Sequence, residues 1–205
     1  MDIKTIPVGI YNANCYLLID QDKCAIIDPG GDPEDIIKII EDNNLIPQFI
    51  LLTHGHIDHV GGVEAIKDKY NIPFYINRKD EDLIKEAEYI FGNFGKYKNA
   101  DEYLVEGKEF QLGNLKIKAI ETPGHSPGGM SFLVNNVIFT GDTLFRESIG
   151  RSDFIGGSHN TLINSIQSKI TVLDPDIYVL PGHGPQSTIG YEKDNNPFFL
   201  NRYIP

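Results

Sequence analysis

The 205-residue sequence predicts an α/β (α+β) fold, and three features point to it. Short apolar runs bounded by glycine, proline or asparagine turns alternate with segments whose isoleucines and leucines recur at helical spacing. The order of strands, helix, strand and helix occurs twice along the chain. Histidine or aspartate follows the carboxyl end of several of these strands, so each half of the chain contributes a metal-type loop. A chain of this length buries a substantial core, and no linker, low-complexity tract or short-period repeat divides it, so residues 1–205 are expected to form one domain.

Ile3 to Val8 and Cys15 to Ile19 are expected strands joined by the polar Asn12-Ala13-Asn14 turn. Cys24 to Ile27 follows across Asp20-Gln21-Asp22-Lys23, a hairpin-type connection. Asp32 ahead of Pro33 marks a helix start, and the helix runs to about Asn43 with Ile36, Ile37, Ile39 and Ile40 on its apolar face. Phe49 to Leu52 reads as a short buried strand bounded upstream by Pro47. It releases Thr53-His54-Gly55-His56-Ile57-Asp58-His59 into a loop that Gly61-Gly62 ends. Val63 to Tyr70 is the next helix, Ile72 to Ile76 a strand, and Asp80 to Glu88 a charged, exposed helix. Tyr89 to Tyr103 is rich in glycine, asparagine and aromatic residues without clear period; it is either a flap over a site or, the commoner use of such rings, a surface crossover packed by them.

Leu104 to Val105, Glu109 to Leu112 and Leu115 to Ile120 are strand-like runs separated by Gly107 and Gly113. Met130 to Val134 and Val137 to Thr140 make a hairpin over Asn135-Asn136. Ser158 caps a helix from about His159 to Lys169, with Leu162, Ile163 and Ile166 inward. Ile177 to Leu180 is the last clear strand and runs into Pro181-Gly182-His183-Gly184-Pro185.

The formal net charge is −11 and no lysine or arginine block occurs, which argues against a nucleic-acid partner held by phosphate contacts and against a polybasic membrane surface. No apolar run approaches membrane-spanning length, and no charged lead precedes an apolar core at the N-terminus. Cys15 and Cys24 sit in apolar runs without metal-clamp spacing and read as buried thiols of a reducing compartment, which places the protein in the cytoplasm. No exposed apolar stripe indicates an oligomeric state.

Three of the six histidines lie between residues 54 and 59. Neutral imidazole nitrogens and ionised carboxylates are what borderline divalent ions bind. His125, Asp142 and His183 follow three further strand ends; with His54, His56, Asp58 and His59 they supply donors enough for two metals sharing one carboxylate. Asp28, also at a strand end, is either a partner that orients a ligand or a turn carboxylate. Arg146, Arg151 and His159 lie after Asp142 and are candidates to meet a substrate carboxylate. The alternatives are that Arg151 pairs with Asp153 and that His159 merely begins a helix. Tyr11, Asn12 and Asn14 either rim the site or serve the turn they occupy.

These motifs resemble those of the metallo-β-lactamase-fold hydrolases, whose His-x-His-x-Asp-His signature stands here as His54 to His59, with the later motifs at His125, Asp142 and His183. More narrowly, the chain is similar to the short glyoxalase II-like (hydroxyacylglutathione hydrolase-like) branch. The supporting segments are Thr-Pro-Gly-His-Ser-Pro-Gly at 122–128, Phe-Thr-Gly-Asp-Thr-Leu-Phe at 139–145, Ser-Ile-Gly-Arg-Ser-Asp-Phe at 148–154, Pro-Gly-His-Gly-Pro at 181–185 and Asn-Pro-Phe at 196–198. The resemblance implies a four-layer αββα sandwich, two mixed sheets face to face with helices outside and metals at one sheet edge. It implies that His54, His56 and His125 hold a first metal, that Asp58, His59 and His183 hold a second, and that Asp142 bridges them. Zinc is the expected ion, although iron and manganese suit the same donors.

Two divalent ions bridged by a carboxylate can bridge a water and lower its pKa toward neutrality, so the expected chemistry is hydrolysis by the resulting hydroxide, with Asp58 both ligating and orienting the attack. A thiolate leaves readily, which makes a thioester the expected substrate and a glutathione thioester such as S-lactoylglutathione the leading one by analogy. Full-length glyoxalase II enzymes carry a further C-terminal helical domain for glutathione, and this sequence stops at Pro205 without it. The rival within the superfamily is a mononuclear iron persulfide dioxygenase, which shares a segment like Gly150 to Phe154; the form of the His183 motif and the full second-metal set favour the hydrolase. A β-lactamase or lactonase fits less well. A non-catalytic module is expected to have lost ligands, and none is missing.

Overall fold

Strand alternation sorts the apolar residues onto opposite faces of each sheet and thereby sets the layers. The computed structural model describes residues 1–91 and 99–200. Strands β1 (Asp2–Val8), β2 (Ala13–Asp20), β3 (Lys23–Ile27), β4 (Ile46–Leu51), β5 (Phe74–Asn77) and β6 (Glu102–Leu104) form one six-stranded sheet in sequence order. The pairs β1–β2 and β2–β3 are antiparallel and the rest parallel, so the sheet is mixed. Along the chain come β7 (Glu109–Leu112), β8 (Leu115–Glu121), β9 (Met130–Val134), β10 (Val137–Gly141), β11 (Leu144–Phe145), β12 (Ser148–Ile149), β13 (Tyr178–Pro181) and β14 (Ser187–Thr188). The second sheet has the order β14-β13-β10-β9-β8-β7 with one parallel pair, β10–β13, and β11–β12 is a separate small hairpin.

Tyr16 and Leu18 of β2 face Phe110, Ile117, Phe132 and Phe139 of the second sheet, forming the core between the sheets. Cys15, Leu17 and Ile19, one residue out of phase, face the opposite way into a core shared with helices α1 (Pro33–Asp42), α3 (Val63–Tyr70) and α4 (Arg78–Phe91). On the far side of the second sheet, Ile138 and Val179 pack against α5 (His159–Ser165), its π-helical extension to Ile170, and α6 (Ile189–Asn195). The result is the expected four-layer αββα sandwich, two mixed sheets flanked by helices.

Several local expectations need correction. Pro47 does not bound β4 but lies inside it: Cys24 pairs with Pro47 and Ala25 with Phe49, so Gln48 is the extra residue of a bulge, where a proline is tolerated. The histidine stretch is loop only as far as His56, after which Ile57–Val60 makes one helical turn, α2. Asp32 precedes α1 as expected, but with left-handed backbone and its carboxylate accepting from Gly9 N at 2.7 Å, not from the helix. Helix α4 starts two residues earlier and ends three later than its charge pattern suggests, and it is not an exposed helix, for Asp80, Glu81 and Ile84 are buried. Residues 92–98 lie outside the described residues, and with them the expectation of a flap or crossover. The short strands β11, β12 and β14 and the polar helix α6 escape a periodicity reading, because two-residue strands have no period and α6 buries mainly Ile189 and Glu192.

Phe139 is fully buried between the sheets, with its ring 5.1 Å from that of Tyr16 in an edge-to-face contact. Phe139→Ala is expected to lower unfolding free energy by about 3–5 kcal/mol in urea titrations; a loss under about 1 kcal/mol would show that the sheets do not pack through this ring.

Candidate metal centre

Four strand ends converge at one edge of the sandwich. Strand β3 delivers Asp28, β4 delivers Thr53 and His54, β10 delivers Asp142, and β13 delivers His183. The turn after β8 supplies His125, and α2 supplies Asp58 and His59. Close backbone approach is part of the construction: a Cβ at Gly182 would lie 2.2 Å from Asp142 Oδ1 and 2.7 Å from His59 Cε1.

Hydrogen bonds behind the rings of His54, His59 and His125 fix which nitrogen each of these three turns inward. Thr53 Oγ1 donates its proton to Asp28 Oδ2 at 2.5 Å, so at 3.0 Å from His54 Nδ1 it can only accept, and His54 keeps Nε2 free. His59 Nδ1 donates to Asp28 Oδ2 at 2.9 Å and His125 Nδ1 to the Arg151 carbonyl at 2.7 Å, which turns Nε2 of both rings inward. His54, His56 and His125 then form one cluster, and Asp58, His59 and His183 another, the donor atoms of each lying within 4.8 Å of one another. Asp28, His54 and His59 are equally close, but the Asp28 carboxylate is already engaged by Thr53 and His59 and works as their anchor.

Asp142 lies between the clusters. Its Oδ1 is 3.4 Å from His59 Nε2, and its Oδ2 is 3.6 Å from His125 Nε2 and 3.7 Å from His183 Nε2. His56 Nδ1 and His125 Nε2 approach to 2.8 Å, and His183 Nε2 stands 3.1 Å from Asp58 Oδ2. Among the described residues, His54 Nε2 and Asp142 Oδ1 are buried without a hydrogen-bond partner, a costly arrangement for polar atoms unless a cation is their partner. The donor set of five imidazoles and two carboxylates fits divalent metal.

The electrostatics divide the clusters. Burial, reinforced by the surrounding imidazoles, holds His54 well below the ordinary histidine range, and burial with His125 pushes His56 down to about 4. Both rings are neutral and ready to ligate at neutral pH. Burial also disfavours the charged form of His59, but Asp142 and Asp28 outweigh it and raise this ring well above the usual range. A hydrogen bond with Asp58 is the main cause that raises His183. Burial would raise Asp58, yet His183 and His59 bring it down to about 2. Asp142 is likewise lowered, its burial outweighed by the charges of His59, His125 and His183.

A family model for the metallo-beta-lactamase superfamily matches residues 8–183. The chain belongs to this superfamily. It is 40% identical over 212 residues, 98% of this chain and 100% of the relative, to the hydroxyacylglutathione hydrolase GloC of Haemophilus influenzae. The crystal structure of BLEG-1 B3 metallo-beta-lactamase superimposes with a TM-score of 0.91 at 39% identity, covering 97% of this chain and 99% of that one. That of TTHA1623 in a di-iron-bound form gives 0.87 at 34% identity, covering 95% and 99%. Metallo-β-lactamase superfamily proteins bind divalent metals, often two, and the chain presents the matching histidine clusters as a metal-dependent hydrolase.

The other candidates fall differently. Asp28 is buried and bonded as a ligand-orienting carboxylate would be. Arg151 pairs with Asp153 through Nε at 3.0 Å and Nη2 at 2.8 Å, and only its backbone carbonyl serves the centre. Arg146 lies over the Tyr191 ring beside Glu147, and His159 is the exposed first residue of α5; neither has a described contact with the cluster residues. Asn14 is a structural clamp, its Nδ2 donating to the carbonyls of Pro181 and Gly184 at 3.0 and 2.9 Å. Exposed Tyr11 and Asn12 sit in the turn this clamp anchors. The sequence reading overlooked Thr53, Phe154 and Asp80. Phe154 places its ring 5.1 Å from His56 and 5.7 Å from His125. Asp80 follows the carboxyl end of β5, the same signal that singled out Asp28 and Asp142, but a charged helical context concealed it.

Cation uptake at Asp58, His59 and His183 must displace protons that the carboxylates hold there, whereas His54 and His56 are already deprotonated. As pH falls through neutrality, the second cluster is expected to lose its ion before the first. Metal analysis after dialysis at stepped pH checks this; equal loss from both clusters at every step would contradict it.

Proposed function

We propose that the protein is a binuclear metal-dependent thioester hydrolase acting on a small-molecule thioester, with no nucleic-acid or membrane partner. The observation that carries this reading is the pair of inward-facing donor clusters on either side of one carboxylate, Asp142. His54, His56 and His125 would hold one ion, Asp58, His59 and His183 the other, and Asp142 would serve both. Such a pair, most readily zinc and with iron or manganese as alternatives, supplies an activated water and polarises a carbonyl.

The protein's own groups do the remaining work. Asp58 is ionised at neutral pH and can accept a hydrogen bond from the attacking water, which orients it toward the acyl carbon. Asp28, Thr53 and the Arg151 carbonyl keep the rings from rotating as charge shifts across the site. A thiolate departs without a general acid, which suits a centre whose imidazoles are engaged elsewhere. Phe154 offers a partly exposed aromatic wall beside His56 for the apolar part of the acyl group.

The likeness to GloC supports a glutathione thioester such as S-lactoylglutathione as the substrate. The buried free thiols of Cys15 and Cys24 suit a cytoplasmic setting, and no helix among the described residues is long and apolar enough to cross a membrane.

With metal content quantified, S-lactoylglutathione hydrolysis is expected to fall at least about 100-fold in His56→Ala and in Asp142→Ala, beyond the usual effect of losing an outer hydrogen-bond partner. A β-lactam assayed in parallel is expected to turn over poorly. Unchanged thioester turnover in either variant would refute the binuclear scheme, and faster β-lactam than thioester cleavage would refute the substrate class.

A further inference from the structure

We propose that Asp80 is a positioning residue that sets the spacing between the His54–His56 loop and the His125 loop, and through it the affinity of the first metal site. The inference rests on the metal reading above and extends it to a residue outside the donor set.

Asp80 is fully buried near the start of α4. Its Oδ2 accepts from the backbone N–H of Gly55 at 3.1 Å and from Ser126 Oγ at 2.6 Å, and its Oδ1 accepts from Gly128 N at 2.5 Å. Gly55 stands between the donors His54 and His56, and Ser126 directly follows the donor His125. One carboxylate therefore grips both loops that must meet around the first ion. Burying an ionised carboxylate is unfavourable unless hydrogen bonds replace its water, and three donors drawn from two separate loops do so here.

The local sequence is built around that grip. A Cβ at Gly55 would lie 2.4 Å from the Asp80 carbonyl oxygen, and one at Gly128 would lie 2.7 Å from Asp80 Oδ1. Both glycines are needed for the loops to come close enough to donate. The Arg151 carbonyl sets how the His125 ring is turned, while Asp80 sets where the loop carrying it sits. His56 Nδ1 and His125 Nε2 face each other across the gap between the loops at 2.8 Å. Metal–imidazole bonds are confined to about 2.0–2.1 Å for zinc, so a few tenths of an ångström of drift between the loops degrades ligation.

Two variants test this. Asp80→Asn keeps the shape but exchanges one acceptor oxygen for an amide that cannot accept, and Ser126→Ala removes a single donor. Zinc affinities are measured by chelator competition, and the first site is observed through the absorption bands of cobalt-substituted protein. In Asp80→Asn the first ion is expected to bind about 10- to 100-fold more weakly with altered cobalt bands, and the second as in the wild type. Ser126→Ala should show a smaller change of the same kind. Wild-type affinities and spectrum in a folded Asp80→Asn protein would overturn the proposal, as would equal weakening of both ions. Should Asp80→Asn fail to fold, Ser126→Ala decides, and an unchanged first-ion affinity there overturns it. Wild-type protein that binds fewer than two zinc ions would instead remove the metal reading and the proposal with it.

Discussion

The arrangement of this centre depends on one buried carboxylate, that of Asp28. It sits just past β3 with a left-handed backbone, φ 51°, which directs the side chain under the histidine loop. Oδ1 accepts from Thr53 N at 2.7 Å and so terminates β4; Oδ2 takes the Thr53 hydroxyl and the His59 ring. Two imidazoles belonging to different clusters are thereby fixed in direction by one carboxylate, His59 directly and His54 through the Thr53 hydroxyl. Removing the carboxylate would free His59 to turn and let the Thr53 hydroxyl donate to His54 Nδ1, which would put that ring's proton on the inward Nε2.

The second sheet reaches the same point by clamping. Tyr16, from the first sheet, donates its hydroxyl to the Pro181 carbonyl at 2.6 Å, and Asn14 N donates to the Gly182 carbonyl at 2.7 Å. These bonds cross from β2 to the loop that bears His183. Neither donor cluster is complete within one sheet: His54, His56, Asp58 and His59 follow β4, whereas His125, Asp142 and His183 come from the second sheet. Packing of Tyr16 against Phe139 between the sheets is therefore a condition for the centre as much as for stability.

The donor residues were legible in the sequence because imidazole and carboxylate side chains after apolar runs have few other common uses. The layers followed from the family resemblance, whereas the sequence itself showed the doubled strand and helix order and the isoleucine face of α1; Cys15 to Ile19 is apolar and buried on both faces and carries no period of its own. What stayed hidden was what depends on partners far along the chain. Asp80 looked like one charge among many in Asp80 to Glu88, since burial by Gly55, Ser126 and Gly128 leaves no mark on its own neighbours. Arg151 attracted notice for its charge, yet its peptide carbonyl is the part that matters, and any residue offers one. The bulge at Gln48 was concealed by Pro47, which reads as a strand boundary but sits within β4.

The centre also shows where local and global preferences conflict. His54 Nε2 and Asp142 Oδ1 are buried without hydrogen bonds, and ring nitrogens of His59 and His183 approach to 3.4 Å. Left to themselves, such groups would separate or draw in water. Anchors outside the donor set, Asp28 for the rings and Asp80 for the loops, hold them together against that tendency. The folded scaffold thus bears the cost of crowding the donors, and a cation that satisfies them adds binding free energy to the native state alone, about 4 kcal/mol when free ion stands a thousandfold above its dissociation constant. Metal affinity and stability are coupled through this geometry: what loosens the anchors weakens the ion, and what binds the ion ties the two sheets together at their shared edge.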